Sequence, residues 1–175
     1  YQTVKLEDVL TVCSPGQNPN AFMNQPTFVD TGYPYVRIIN ISDERILDDK
    51  MLYLTEEEYN KVRSVYKPQV GDLIYGYINA DVGNCMIVSK DGFVLNSNLI
   101  RMSPNHEKIY TEYLYLMLQS NTIRRSVKQM VTSSAMPILK FNDIKNFFIP
   151  VPSLKDQKKI LSYIWPDHQK MPFDP

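Results

Sequence analysis

The segment from residue 119 to residue 145 combines basic side chains with nearby hydroxyl groups, the strongest chemical pattern in the sequence. It holds five Lys and Arg residues against one acid, Asp143, and Ser133 and Ser134 lie among them. Positive charge attracts phosphate oxygens, and short polar groups then fix their position. A solvated helix face with a polar loop is the simpler explanation of this pattern taken alone. The basic residues that suit phosphate contacts are Arg124, Arg125, Lys128 and Lys140.

Asparagine and arginine residues recur where predicted strands end in loops. Arg37 and Asn40 close the first strong strand pattern, and Arg101 lies in a later strand that follows two asparagines. An Asn side chain pairs in two ways with adenine, and an Arg side chain with guanine, in the major groove of DNA. Asparagine is also a common turn residue, and at any single position this is the better explanation. The asparagines concerned are Asn79, Asn84, Asn96 and Asn98.

Motifs for catalysis and cofactor binding are incomplete in this sequence. The six glycines match neither a Gly-x-Gly-x-x-Gly fingerprint nor a Gly-Lys-Ser/Thr phosphate loop. His106 and His168 lie far apart in the chain, without the spacing of a zinc site. We therefore expect no cofactor, no metal and no catalytic residue.

Length and composition indicate one ordinary globular domain. The chain has 175 residues, of which 43% are hydrophobic and 22% charged. Its apolar runs are far shorter than the roughly 20 residues that span a bilayer. The opening residues lack the pattern of a secretion signal, and Cys13 and Cys85 are expected to be reduced thiols. These features predict a cytoplasmic protein without a membrane segment.

The zero net charge of the chain conceals an uneven distribution. Residues 1–87 hold 7 basic and 12 acidic side chains, a sum of −5, whereas residues 88–175 hold 12 and 7, a sum of +5. The basic half can therefore meet an anionic partner although the whole chain is neutral.

Hydrophobic periodicity and turn signals predict an α+β fold whose middle is mostly β. Thr55 and Glu58 form a capping-box pattern at the start of a short helix. A second helix is expected to be capped by Thr111 and to break at Ser120. Further helices are predicted over 4–10 and 156–164, and a strand is predicted over 34–41. Two strand pairings are also expected. A strand within 70–78 should pair with 85–88, and residues 93–95 should pair with 99–102.

Several segments, in order along residues 3–164, resemble the target recognition domain of the specificity subunit of type I restriction-modification systems. The most specific similarity is the Ile-Pro-hydrophobic-Pro-x-Leu-x-x-Gln-x-x-Ile pattern at 149–160. Other similar segments are Gly71-Asp72-Leu73-Ile74, the Asn-containing strand at 95–101 and the Tyr-Leu-Tyr helix that starts at Tyr113. The chain departs from the family at Thr132, where a Gly is usual, and at Trp165-Pro166, which shorten the last helix.

The resemblance implies a twisted mixed β-sheet or partly closed barrel with flanking helices. It implies a single recognition domain over 1–165, with a core at 3–152, the start of a spacer helix at 155–165 and a tail at 166–175. The domain would read one half of a split site in the major groove of double-stranded DNA. The DNA-contacting candidates are Arg37, Asn40, Asn79, Asn96, Asn98, Arg101, Arg124, Arg125, Lys128, Ser133, Ser134 and Lys140.

The same resemblance implies protein partners. These are modification (methyltransferase) subunits and, through them, the restriction subunit, with a second recognition domain or a homodimer as a further possibility. The candidate partner-binding residues are Leu154, Gln157, Ile160 and Tyr163. A recognition domain of a fused restriction-modification enzyme, and an interaction module of the same fold that does not touch DNA, are the alternatives. An enzyme in its own right ranks lowest.

Overall fold

The strands form three hydrogen-bonded sheets in the computed structural model, which describes residues 2–23, 27–42, 45–78, 82–131 and 138–166. The strand bounds are β1 Gln2–Lys5, β2 Leu10–Pro15, β3 Tyr33–Val36, β4 Leu52–Leu54, β5 Leu73–Gly76, β6 Cys85–Ile87, β7 Val94–Leu95, β8 Leu99–Pro104 and β9 Phe148–Val151. The largest sheet is antiparallel, in the order β2-β8-β5-β6. A mixed sheet has the order β4-β3-β7, and β1 pairs with β9.

Five α-helices accompany these sheets within the described ranges. Their bounds are α1 Glu56–Lys61, α2 Thr111–Gln119, α3 Asn121–Met130, α4 Phe141–Lys145 and α5 Leu154–Ile164. The predicted cap of α1 is confirmed, because the Thr55 hydroxyl accepts the N–H of Glu58 at 3.2 Å. The predicted break is also confirmed, since Ser120 ends α2 and its hydroxyl caps α3 by accepting the Ile123 N–H at 3.3 Å.

The α+β class is confirmed, and the main core lies between the largest sheet and the helices. Buried side chains of β5, β6 and β8 pack there against α2, α3 and the buried Leu161 of α5. Two smaller clusters lie around β3 and β7. Within the described ranges the strands form a mixed β-structure of three separate hydrogen-bonded sheets, which is not a closed barrel.

Two predicted elements are shorter than the sequence pattern indicated. The expected helix over 4–10 is a 3-10 turn at Leu6–Val9, because Val4 belongs to β1 and pairs with Ile149. The strand expected over 34–41 ends at Val36 and gives way to a 3-10 turn. Apolar spacing alone does not reveal these strand ends, which depend on partners distant in sequence.

The start of two helices also differs from the prediction. Thr111 is the first residue of α2, and its hydroxyl donates to the Gly71 carbonyl at 2.8 Å instead of capping the helix. Helix α5 begins at Leu154, where the Ser153 hydroxyl accepts the Asp156 N–H at 3.2 Å.

The predicted hairpin of β5 and β6 is confirmed, with Leu73 opposite Ile87. The predicted pairing of 93–95 with 99–102 is wrong. Strand β7 instead pairs in parallel with β3, and β8 lies between β2 and β5. At residues 96–98 the chain passes from the β4-β3-β7 sheet to the largest sheet. On the two sides of this turn, the Gln17 N–H donates to the Leu95 carbonyl and the Gly16 N–H to the Leu99 carbonyl.

Candidate nucleic-acid interface

Loops from the two larger sheets meet at one end of the strands, which we call the loop edge. It comprises the described residues 16–18, 37–41, 77–78, 82–84 and 96–98. The register places Gly76 of β5 opposite Leu99 of β8, so the end of one strand meets the start of the other. The Asn96 N–H donates to the Val36 carbonyl at 2.9 Å, which brings the end of β3 to the same edge.

The Asn96 side chain holds neighbouring segments of the loop edge together by hydrogen bonds. Its side-chain Nδ2 donates to the Tyr35 hydroxyl at 2.8 Å, and its Oδ1 accepts the Asn98 N–H at 3.0 Å. The Tyr35 hydroxyl in turn donates to the Gln17 carbonyl at 2.7 Å. Strand β3 and the loops after β2 and β7 are therefore joined through the Asn96 amide and the Tyr35 phenol, and burial raises the pKa of Tyr35 to about 12.

Asn98 differs from its neighbour Asn96 in the use of its side chain. The side chain is half-buried, and it makes no hydrogen bond to another residue of the described ranges. The backbone around it is fixed, because the Tyr77 hydroxyl donates to the Ser97 carbonyl at 2.6 Å. Asn98 thus presents an uncommitted amide on a positioned loop, which is the arrangement that base recognition requires.

Arg37 begins the loop that follows β3 and is also half-buried. Its Nη2 donates to the Lys50 carbonyl, and its buried Nε has no hydrogen-bond partner among the described residues. The guanidinium is therefore held from one side at the loop edge.

Arg124 lies in the first turn of α3 and reaches the connection between β5 and β6. Its Nη1 donates to Gln119 Oε1 at 2.8 Å, and its Nη2 to Asn84 Oδ1 at 3.4 Å. Gln119 Nε2 donates to the Gly83 carbonyl at 3.3 Å. The half-buried guanidinium thus has two protein acceptors.

Three other predicted cations face solvent close to these elements. In α3, Ile123 and Val127 pack into the core, while Arg125 and Lys128 are exposed. Lys140 is exposed at the N-terminus of α4. The preceding Leu139 N–H donates to the Tyr77 carbonyl at 3.0 Å, which ties this segment to the loop edge.

Asn40 and Arg101 are interior residues. Asn40 is fully buried; its Oδ1 accepts the Arg37 N–H at 3.1 Å, and its Nδ2 donates to the Leu47 and Asp49 carbonyls at 3.2 and 2.9 Å. Arg101 Nε donates to Asp72 Oδ2 at 2.6 Å in a buried ion pair. Both side chains hold loops and strands in place from inside, so we do not propose either as a DNA contact.

Gln157, predicted to bind a partner, is also fully buried. Its Oε1 accepts the Tyr110 N–H at 3.0 Å, and its Nε2 donates to the Lys108 and Pro152 carbonyls at 2.9 Å each. It therefore attaches α5 to its own domain, and we do not propose it as a partner contact.

The other candidate partner-binding residues differ in exposure. Leu154 and Ile160 are half-buried, and Ile160 packs against the main core. Tyr163 is 74% exposed and Ile164 50% exposed. The end of α5 therefore presents exposed apolar side chains within the described part of the chain.

Three predicted DNA-contacting residues, Asn79, Ser133 and Ser134, lie outside the described residues. Sequence reasoning missed the internal partners Gln17, Tyr35, Tyr77 and Gln119, whose roles depend on contacts between distant segments. Within the described ranges no three His, Cys, Asp or Glu side chains are grouped to hold a metal ion. No helix in those ranges is long and apolar enough to cross a membrane.

Comparisons with known proteins agree with this architecture. A family model described as "Type I restriction modification DNA specificity domain" matches residues 1–166. A protein named as the MjaX type I restriction enzyme specificity subunit of Methanocaldococcus jannaschii is 30% identical over 168 residues, which is 91% of this chain and 37% of that protein. The HindI type I restriction enzyme specificity subunit of Haemophilus influenzae is 26% identical over 145 residues, 79% of this chain and 31% of the relative.

A solved structure supports the fold. The HsdS subunit from Thermoanaerobacter tengcongensis superposes with a TM-score of 0.65 at 20% identity, covering 93% of this chain and 40% of that one. The chain thus spans between about a third and two fifths of the proteins it matches. The match over nearly the whole chain shows that it belongs to the type I restriction-modification DNA specificity domain family.

Proposed function

We propose that this chain is a target recognition domain that reads one half of a split DNA site in the major groove through its loop edge. The observation that carries the proposal is the meeting of loops after β2, β3, β5 and β7 at one end of the sheets. Polar side chains placed on loops over a rigid strand scaffold suit recognition of base edges.

The contacts divide into two groups in this proposal. Arg125 and Lys128 are exposed on α3, whose Arg124 reaches Asn84 of the loop edge, and Lys140 is exposed beside Leu139, which is bonded to Tyr77. In this proposal the three cations contact phosphates. Asn98 and Arg37 lie on the loop edge itself and contact base edges. Asn96 fixes the backbone of Asn98, because Asn96 Oδ1 accepts the Asn98 N–H.

The neutral total charge of the chain is compatible with these phosphate contacts. Residues 88–175 carry a sum of +5, and the exposed cations of α3 belong to this half. Because the acidic half offsets them overall, the domain alone is expected to hold DNA modestly and in a salt-dependent way.

Catalysis, in this proposal, belongs to partner subunits. The relatives are named as specificity subunits of type I restriction enzymes, and this chain would direct methyltransferase subunits and, through them, the restriction subunit. A second recognition domain, in the same subunit or from a second copy, would read the other half-site. The recognition domain occupies 1–165, α5 starts the spacer, and the complex works in the cytoplasm.

One observation favours a second candidate function, an interaction module that does not touch DNA. The apolar side chains of Tyr163 and Ile164 are exposed at the end of α5. Such a module would bind protein through this helix, and the isolated chain would have no affinity for a duplex.

Salt-dependent duplex binding separates the two candidates. The dissociation constant of the chain for a fluorescent duplex is measured from about 50 to 200 mM salt. DNA recognition predicts a straight decline of log affinity with log salt, with a slope of about −0.9 for each phosphate contacted. Binding that is absent at low salt, or that ignores salt, would favour the interaction module.

A further inference from the structure

The corner between α2 and α3 is joined directly to the connection that links β5 to β6. Gln119, the last residue of α2, donates from Nε2 to the Gly83 carbonyl at 3.3 Å and to Cys85 Sγ at 2.8 Å. Its Oε1 accepts from Arg124 Nη1 at 2.8 Å, and Arg124 Nη2 reaches Asn84 Oδ1 at 3.4 Å. Two side chains of the helical corner therefore contact Gly83 and Asn84 of the connection and Cys85, the first residue of β6.

Backbone hydrogen bonds close the turn at the described end of the connection. The Gly83 N–H donates to the Gly76 carbonyl at 2.9 Å, and the Gly76 N–H to the Asn84 carbonyl at 2.8 Å. Gly83 has a φ of 94°, a conformation that favours glycine. A Cβ at that position would lie 3.8 Å from the Tyr75 hydroxyl, so the turn rests on the buried end of β5. Gln119 and Arg124 hold the same turn from the corner between α2 and α3 through their side-chain hydrogen bonds.

The helical corner itself is held by hydrogen bonds and by the main core. The Ser120 hydroxyl donates to the Met117 carbonyl at 2.7 Å and accepts the Ile123 N–H at 3.3 Å. Ile123 and Val127 then anchor α3 in the main core. A support built on this corner can fix the position of the connection to within the precision that base recognition requires.

We propose that Gln119 and Arg124 are positioning residues that set the sequence selectivity of the domain by holding the β5–β6 connection in place. This inference rests on the proposed function and differs from a phosphate contact by Arg124. The salt-dependent affinity of a phosphate contact depends on positive charge, which a Lys also supplies, whereas this support requires the forked geometry of a guanidinium and the uncharged amide of Gln119.

Three variants separate these roles. Arg124→Lys keeps the positive charge and loses the forked geometry of the guanidinium. The affinity for duplex DNA and its salt dependence should therefore be retained, while the selectivity for one sequence declines. Gln119→Met removes all three of its side-chain hydrogen bonds without changing charge, and Gln119→Glu keeps the acceptor for Arg124 but removes the donor to Gly83 and Cys85. Gln129→Met is the matched control, because Gln129 is exposed on α3 and is not among the proposed DNA contacts.

The test compares each variant with the unmodified chain in two measurements. The first sequences the duplexes that each protein retains from a pool with a randomised centre. The second follows amide hydrogen exchange at Gly76 and Gly83, which requires no DNA. Thermal unfolding identifies any variant that fails to fold, and the remaining variants then decide the outcome.

We expect Arg124→Lys and both Gln119 variants to reduce enrichment of the preferred sequence by roughly fivefold or more. Their Gly83 amide should exchange faster, while Gln129→Met matches the unmodified chain. Unchanged enrichment and unchanged exchange in these variants would overturn the inference and leave the proposed function intact. If the unmodified chain binds no duplex, the proposed function fails, and hydrogen exchange alone still decides whether the corner supports the connection.

Discussion

The Asn96 side chain donates a hydrogen bond to the Tyr35 hydroxyl at 2.8 Å, although the two residues lie 61 positions apart in the chain. This bond joins the loop after β7 to strand β3, and Tyr35 passes the connection to Gln17. The geometry of the loop edge therefore depends on a few polar side chains that hold loops together, beside others that remain available to a ligand.

Replacing Asn96 tests this supporting role. Asn96→Ala leaves the Asn98 N–H without its acceptor and the Tyr35 hydroxyl without its donor, and we expect a loss of about 1–3 kcal/mol in the free energy of unfolding. Urea denaturation measures the loss. Asn98→Ala is the matched control and should stay within about 0.5 kcal/mol of the unmodified chain. Equal losses for the two variants would contradict the distinction between them.

Removing the exposed cations of α3 tests the phosphate contacts. Arg125→Ala and Lys128→Ala should each weaken binding to all duplex sequences alike and make the slope of log affinity against log salt shallower by about 0.9. Titrations at several salt concentrations measure the slope. Lys155→Ala, an exposed cation on α5, serves as control and should change neither quantity. A sequence-dependent loss for Arg125→Ala would place this residue on a base.

Gln157 is predicted to be a stability determinant. Gln157→Leu fills a similar volume but leaves the Tyr110 N–H and two carbonyls unpaired, and each buried group left unpaired costs about 1–3 kcal/mol. The midpoint of chemical unfolding should therefore fall strongly, whereas Lys158→Ala, an exposed neighbour, leaves it unchanged. If Gln157→Leu unfolds like the unmodified chain, the anchoring role assigned to this amide is wrong.

Alkaline pH should destabilise the fold through its buried tyrosines. Burial raises the pKa of Tyr35 from 10.0 to about 12, and it raises the pKa of Tyr75 in the same direction. The unfolded chain therefore loses these protons first, and stability that is complete below pH 10 declines as the pH rises toward 12. Unfolding free energies at several alkaline pH values measure the decline. Tyr35→Phe should make it shallower, and an unchanged slope would contradict the assignment.

Local signals in the sequence predicted those parts of the fold that depend on neighbouring residues. Thr55 caps α1, Ser120 separates α2 from α3, and the hairpin with Leu73 opposite Ile87 follows from turn residues and apolar runs. The parallel pairing of β3 with β7 was not predictable in this way, because it depends on a crossover between sheets.

In the candidate site, too, some residues were predictable from their type, whereas the roles of others depend on partners distant in sequence. Residue types indicated that Asn98 and the cations of α3 suit DNA, but type alone did not separate Asn98 from Asn40 or Asn96. Asn40 is fully buried, and Asn96 is bonded to Tyr35. The separation depends on partners such as Leu47 for Asn40 and Tyr35 for Asn96, which no spacing rule connects to these asparagines.

Sequence selection by the chain from a randomised duplex pool tests the central claim most directly. Bound duplexes are sequenced for the unmodified chain and for Asn98→Ala. The account predicts one enriched half-site, and it predicts that Asn98→Ala loses about 1–3 kcal/mol of discrimination at one position only. Absence of any enriched sequence, or an identical enriched sequence for both proteins, would contradict base recognition by Asn98 at the loop edge.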